Sequence, residues 1–148
     1  MRICFVCLGN ICRSPMAEFI LKDLLKKNNI DDIVVESRAT SYEEEGNDMY
    51  YLAKEELTKR GIPFTRREAS TLNKNDYDKY DLIIGMDDGN IRNIMRIIGE
   101  DPKNKVYKLN RFSGSDEDIK DPWYTRNFDT AYNDIFDGVK GLLKIIKK

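Results

Sequence analysis

The chain has 148 residues, 25 basic and 26 acidic side chains, a formal charge of −1 and no histidine. Near-neutrality removes any global attraction to nucleic acid or anionic lipid, and the missing imidazole excludes Cys-His and Ser-His-Asp mechanisms. No apolar run reaches membrane-spanning length, and the cysteines at 4, 7 and 12 are odd in number and clustered at one end, unlike a disulfide framework. With no signal peptide read before Cys7, the expected setting is a reducing cytoplasm with no membrane partner.

In chain order, an apolar run predicts a first strand over Arg2–Val6. A helix follows, with Ala17, Ile20, Leu21, Leu24 and Leu25 on one face and Pro15 in its first turn. A second strand is predicted over Ile33–Ser37. Met49, Leu52, Ala53 and Leu57 then mark a helix ended by Gly61 and Pro63. A third strand is predicted over Leu82–Met86, with a helix carrying Ile91, Ile94, Met95 and Ile98 and closed by Gly99. A fourth strand over Val106–Leu109 precedes a long helix whose stripe runs from Tyr132 through Ile135, Phe136, Val139, Leu142 and Leu143 to Ile146. This β-α-β-α order implies an α/β fold, a parallel sheet with helices on both faces. Without a linker, repeat or low-complexity tract, residues 1–148 read as one domain. Ligands of such sheets bind beyond the carboxyl ends of the strands.

The segment at that place is Cys7-Leu8-Gly9-Asn10-Ile11-Cys12-Arg13-Ser14. It joins a strand to a helix start, where free backbone N–H groups and the helix dipole make an anion site. The same field favours a thiolate over a thiol, so Cys7 is expected to be a nucleophile. Arg13 offers a planar fork of donors to two oxygens of a phosphate. A nucleophile on the floor of a phosphate cradle points to phosphoryl transfer onto sulfur.

In this chain's own sequence the run from Val6 to Glu18 resembles the active-site region of the low-molecular-weight protein tyrosine phosphatases. Gly85–Asn90 and Asp121-Pro122-Trp123-Tyr124 resemble two further family stretches, and Ser37–Gly46 does so loosely. The resemblance implies a flavodoxin-like four-stranded parallel sheet and phosphatase activity with no metal and no cofactor. It assigns catalysis to Cys7, Arg13 and Asp121. The expected partners are phosphotyrosine-containing proteins, with phosphate or another oxyanion in the loop, and the expected state is a monomer.

Chemistry gives each of these residues a task. Cys7 would attack phosphorus, while Arg13 and the N–H groups from Leu8, Gly9, Asn10, Ile11 and Cys12 to Ser14 hold the equatorial oxygens. The Ser14 hydroxyl would donate to the Cys7 sulfur. Gly9 lets the backbone turn around the anion, and Asn10 tolerates a left-handed conformation and braces the loop. A tyrosyl oxygen, with a conjugate acid of pKa about 10, needs a proton to leave, and without histidine a carboxylic acid must supply it. On residues alone Asp121 reads equally as an acid or as a turn starter beside a core tryptophan. The resemblance favours the acid, with Trp123 and Tyr124 packing on the substrate ring. Cys12, matched by a cysteine in the family, reads as a partner that traps oxidised Cys7. Cys4 reads as core, since neither a fourth cysteine nor a histidine completes a zinc set.

The chain departs from the family at Glu43, where many relatives carry an aromatic, and at Arg66-Arg67, where many carry a histidine. Either Tyr42 supplies the missing ring or Glu43 selects basic neighbours of a phosphotyrosine. Three alternatives share the scaffold. An arsenate reductase needs cysteines beyond Cys12, and none exists. A protein-arginine phosphatase tends to carry threonine where this chain has Ile11. A non-catalytic phosphate-binding module has no use for a nucleophile.

Overall fold

A computed structural model describes residues 1–147. Four strands, β1 (Arg2–Cys7), β2 (Val34–Ala39), β3 (Leu82–Gly85) and β4 (Val106–Lys108), form one parallel sheet in the order β2-β1-β3-β4. The fold is α/β and flavodoxin-like, as expected. β2 starts one residue and ends two residues later than the hydrophobic pattern predicts, because its ladder runs from Val34 opposite Arg2 to Ala39 opposite Cys7. Ladder pairing, not hydropathy, ends a strand. Likewise β4 stops at Lys108 because Leu109 opens a 3-10 turn through Ser113.

The helices are α1 (Arg13–Lys27), α2 (Tyr51–Lys59), α3 (Asp76–Lys79), α4 (Asp88–Ile98), α5 (Pro122–Thr125) and α6 (Phe128–Ile146). The short α3 and α5 lack enough turns to show a stripe and went unpredicted. Alternation along β1 divides the core. Ile3, Phe5 and Cys7 point to the face covered by α1, α2 and α6, while Cys4 and Val6 point to the face holding Ile94 and Ile98 of α4. Cys4 and Cys7 therefore lie on opposite faces of the sheet, which fits the core reading of Cys4.

Helix α6 reaches the sheet edge by a close approach. An added Cβ at Gly141 would stand 2.0 Å from the carbonyl oxygen of Phe112 in the 3-10 turn. Only glycine admits that contact, which sets the end of α6 against the segment leading to residues 115–121.

The chain leaves β1 toward β2 and later returns to β3 on the other side of β1. Connections thus diverge at the carboxyl ends of β1 and β3, opening a crevice there. Cys7 ends β1, and Asp87 follows β3 by two residues.

Candidate active site

The nucleophile candidate is held by its own loop. Cys7 is buried, its Sγ 3.0 Å from Ser14 Oγ and 3.4 Å from the Ser14 amide nitrogen. Hydrogen-bond direction follows from the neighbours. Asn10 Nδ2 donates to Ser14 Oγ at 2.8 Å and to Ser37 Oγ at 2.9 Å, and Ser37 donates onward to Glu18 Oε1 at 2.6 Å. Ser14 Oγ already accepts, so its proton is free to point at the sulfur. Two donors, an O–H and an N–H, thus converge on Cys7 Sγ.

Asn10 is the brace. It is fully buried and left-handed at φ 59, a conformation asparagine tolerates better than most residues. Its Oδ1 accepts from the Arg67 guanidinium and from the Ser70 amide. Arg67 also donates to the Asn47 carbonyl oxygen at 3.4 Å. Burial pushes the Arg67 pKa down from its usual value, though an arginine keeps its proton at neutral pH. The departure noted at Arg67 is thereby explained: the arginine fills a donor position behind the loop. Arg66 stays exposed.

Arg13 opens α1, whose N-cap residue Cys12 makes no side-chain cap bond. Its buried guanidinium donates through Nη1 to Asp87 Oδ2 and to the Ile119 carbonyl, both at 2.7 Å, and faces Asp121 Oδ2 from Nη2 at 3.5 Å. Burial alone would lower its pKa, but Cys7, Asp121 and Asp87 outweigh it and raise it. Asp87 has a second task, since its Oδ1 caps α4 by accepting from the Asn90 amide at 2.7 Å. The Asn90 side chain in return accepts from the Met86 amide at 3.0 Å. The cap bond fixes the carboxylate that aims Arg13.

Asp121 caps α5, its Oδ1 accepting from the Trp123 amide at 3.0 Å, with Pro122 at the first helical position. Its two oxygens thus face different partners, Oδ1 the Trp123 amide and Oδ2 the Arg13 guanidinium at 3.5 Å. The preceding chain is tied down at Ile119, whose N–H donates to the Met86 carbonyl at 2.9 Å.

One pocket gathers Cys7, Leu8, Gly9, Ile11, Cys12 and Arg13 on its floor, with Glu43, Glu44, Asp121, Trp123 and Tyr124 around its mouth. Asn10 and Ser14 stand behind the floor as supports rather than in its lining. Tyr42 is 76% exposed and outside the lining, and Glu44 takes the place beside Glu43. Cys12 is buried, and that burial, with Cys7 and Asp121 nearby, pushes its thiol pKa up. Asp118, an alternative acid by position, is bound 3.0 Å from Lys108 Nζ and accepts from the Asp88 amide. Sequence reasoning missed Asp87 as the partner of Arg13, Ser37 and Glu18 behind Asn10, and Glu44 at the rim. The Gly85–Asn90 match held the one available signal for Asp87.

A buried thiol held by two donors, an arginine aimed by a carboxylate and a capping aspartate meet around one pocket, an arrangement suited to phosphoryl transfer onto sulfur. The low molecular weight phosphotyrosine protein phosphatase family matches residues 2–148, and the chain belongs to it. The chain is 39% identical over 147 residues to the low molecular weight protein-tyrosine-phosphatase PtpA of Staphylococcus aureus, covering 99% of this chain and 94% of that protein. The crystal structure of YfkJ from Bacillus subtilis superposes with a TM-score of 0.94 at 36% identity, covering 99% of this chain and 94% of that one. A Drosophila arginine phosphatase superposes with a TM-score of 0.89 at 29% identity, covering 100% and 99%. The chain is a protein tyrosine phosphatase of the kind that works through a phosphocysteine. No helix among the described residues is long and apolar enough to cross a membrane.

Proposed function

We propose that this single-domain chain hydrolyses phosphotyrosine in proteins, as a cytoplasmic monomer, with Cys7, Arg13 and Asp121 as its catalytic residues and no metal or cofactor. The observation that carries the reading is the Cys7 sulfur, 3.0 Å from Ser14 Oγ, on the floor of a pocket whose mouth holds Asp121. Cys7 attacks phosphorus in line, a P–S bond forms, and the bond from phosphorus to the tyrosyl oxygen breaks. Asp121 Oδ2 gives its proton to that oxygen. Arg13 and the loop N–H groups hold the three equatorial oxygens as charge spreads over them. Water then attacks the phosphocysteine and yields its proton to the Asp121 carboxylate. The P–S bond breaks, phosphate departs, and the Ser14 hydroxyl receives the returning thiolate.

The pocket lining includes the aromatic rings of Trp123 and Tyr124 and the carboxylates of Glu43 and Glu44. This arrangement supports an aryl phosphate flanked by basic residues. A second reading, phosphoarginine, draws support from the same two carboxylates and from the similarity to the Drosophila arginine phosphatase. The apolar side chain of Ile11 in the pocket lining favours the aryl ring over a guanidinium. The test is kcat/KM for matched phosphotyrosine and phosphoarginine peptides. The tyrosyl peptide should lead by well over tenfold, and the reverse order would exchange the two readings. Cys7→Ser should abolish turnover of either while the folded protein still binds phosphate, and chelators should leave the wild-type rate alone.

A further inference from the structure

Arg126 has no task in the mechanism above, yet its backbone is strained. It follows α5 at φ 59, a left-handed position disfavoured for any residue with a Cβ. Such residues persist where their surroundings fix them. Here the guanidinium donates to the Tyr50 hydroxyl oxygen at 2.9 Å and to the Trp123 carbonyl oxygen at 3.3 Å. It also lies 5.4, 5.9 and 6.0 Å from the ring centroids of Tyr50, Trp123 and Phe128. These are distances at which a cation is attracted to an aromatic face.

Tyr50 faces two ways. Its amide donates to the Ile11 carbonyl of the phosphate loop at 2.9 Å, and its ring packs edge-on against Trp123 at 4.8 Å. The Trp123 amide in turn holds Asp121 Oδ1. A continuous path of contacts therefore runs from the phosphate loop through Tyr50, Arg126 and Trp123 to the Asp121 carboxyl. Ring packing against the protein also leaves Trp123 pre-set as a pocket wall.

We propose that Arg126 and Tyr50 are positioning residues that clamp the acid loop onto the phosphate loop and so set Asp121 over Cys7. The kinetic part rests on the function proposed above. The structural part does not. Proton transfer depends on sub-ångström placement, so a loosened clamp should slow reactions that need the proton and spare those that do not.

The test uses the full chain, with Arg126→Gly and Tyr50→Phe singly and together. Glycine suits the left-handed backbone, so a loss in Arg126→Gly cannot be ascribed to added strain. Tyr50→Phe keeps the ring and removes only the hydroxyl. Trp123 is the sole tryptophan of the chain, so intrinsic fluorescence reports the acid loop without reference to activity. Both variants should show red-shifted emission and greater quenching by acrylamide. Each should lose about three- to tenfold in kcat on phenyl phosphate, and under about twofold on an aryl phosphate with an acidic phenol. The double variant should be no worse than the weaker single one, because one clamp is broken either way. Unchanged Trp123 emission in both variants would overturn the clamp. Equal kinetic loss across leaving groups, or additive losses, would overturn its link to Asp121. If the wild-type protein hydrolysed no aryl phosphate, the functional reading would fall, while the fluorescence would still decide whether the clamp exists.

Discussion

Replacing Asp121 by asparagine removes a proton and little else. Asparagine is nearly isosteric, and its Oδ1 can still accept from the Trp123 amide, so the cap of α5 at 3.0 Å survives. Nδ2 would take the place of Oδ2, facing Arg13 Nη2 across 3.5 Å. That exchanges a weak ion pair at a separation already beyond a good hydrogen bond for a mild donor–donor contact. Arg13 keeps its two 2.7 Å bonds to Asp87 and Ile119, so phosphate affinity should change little. The rate should change a great deal. General acid catalysis contributes about 10²–10⁴-fold, equivalent to about 3–5.5 kcal/mol of barrier, when the leaving oxygen is as basic as that of phenol or tyrosine. For an aryl phosphate whose phenol already ionises near neutrality, the loss should fall below about tenfold. The assay is single-turnover phosphorylation of Cys7 across a series of leaving groups, on wild type and Asp121→Asn, with pH profiles for each. A uniform loss across the series would refute the reasoning and make Asp121 a loop-shaping residue.

Mild peroxide should inactivate the enzyme reversibly. Cys7 becomes a sulfenic acid, the Cys12 thiol attacks its sulfur, and a disulfide forms with release of water. Cys7 and Cys12 share one side of the sheet while Cys4 lies on the other, so peptide mapping should find Cys7–Cys12, and a Cys4–Cys7 link or higher oxides alone would refute this. The raised pKa of Cys12 leaves little thiolate at neutral pH, so ring closure should accelerate as pH rises. Arg67→Ala should leave Asn10 Oδ1 with the Ser70 amide as its remaining partner and weaken phosphate inhibition by about tenfold or more, the value of a lost charged hydrogen bond at a buried site. Unchanged inhibition would show that the loop holds its shape without that donor. Gly141→Ala drives a Cβ to within 2.0 Å of the Phe112 carbonyl and should cost about 3 kcal/mol, lowering Tm by about 6–12 °C in a thermal melt. The control is Gly61→Ala, where nothing lies within 4 Å and the cost is the φ of 73 alone; similar losses for both would refute the packing argument.

What could be read from the sequence was what is local along the chain. Cys7, Gly9, Arg13 and Ser14 fall within one strand–loop–helix junction, and the chemistry of a helix start suffices to interpret them. Short apolar runs and period-3.6 stripes marked the strands and the longer helices for the same reason. Partners brought together by tertiary packing were illegible. Asp87 lies 74 residues from Arg13, Ser37 27 residues from Asn10, and Arg67 57 residues from Asn10. No spacing rule connects them. The loop after β2 shows a finer limit. The Glu45 amide donates to the Tyr42 carbonyl and the Asn47 amide to the Glu44 carbonyl, making two overlapping turns. Turn geometry, not residue type, decides that Glu44 faces the pocket and Tyr42 faces solvent.

The absence of histidine links these observations. A brace behind the phosphate loop needs a donor to Asn10 Oδ1, and many relatives carry a histidine at the matching loop position. An imidazole there would change charge between about pH 5 and 8 and carry the loop electrostatics with it. Arg67 supplies the donor from a guanidinium that stays charged throughout that range, even with burial lowering its pKa. Its positive charge stands behind Cys7 permanently and adds to the field of the α1 terminus and of Arg13. The brace behind the loop therefore keeps its charge throughout that range. The same substitution explains why Asn10 can be wholly buried in a strained conformation. Its Nδ2 has two hydroxyl acceptors and its Oδ1 has two donors, one of them charged. With every polar atom of the side chain engaged, the left-handed residue is over-determined, and the loop is formed before the phosphate arrives.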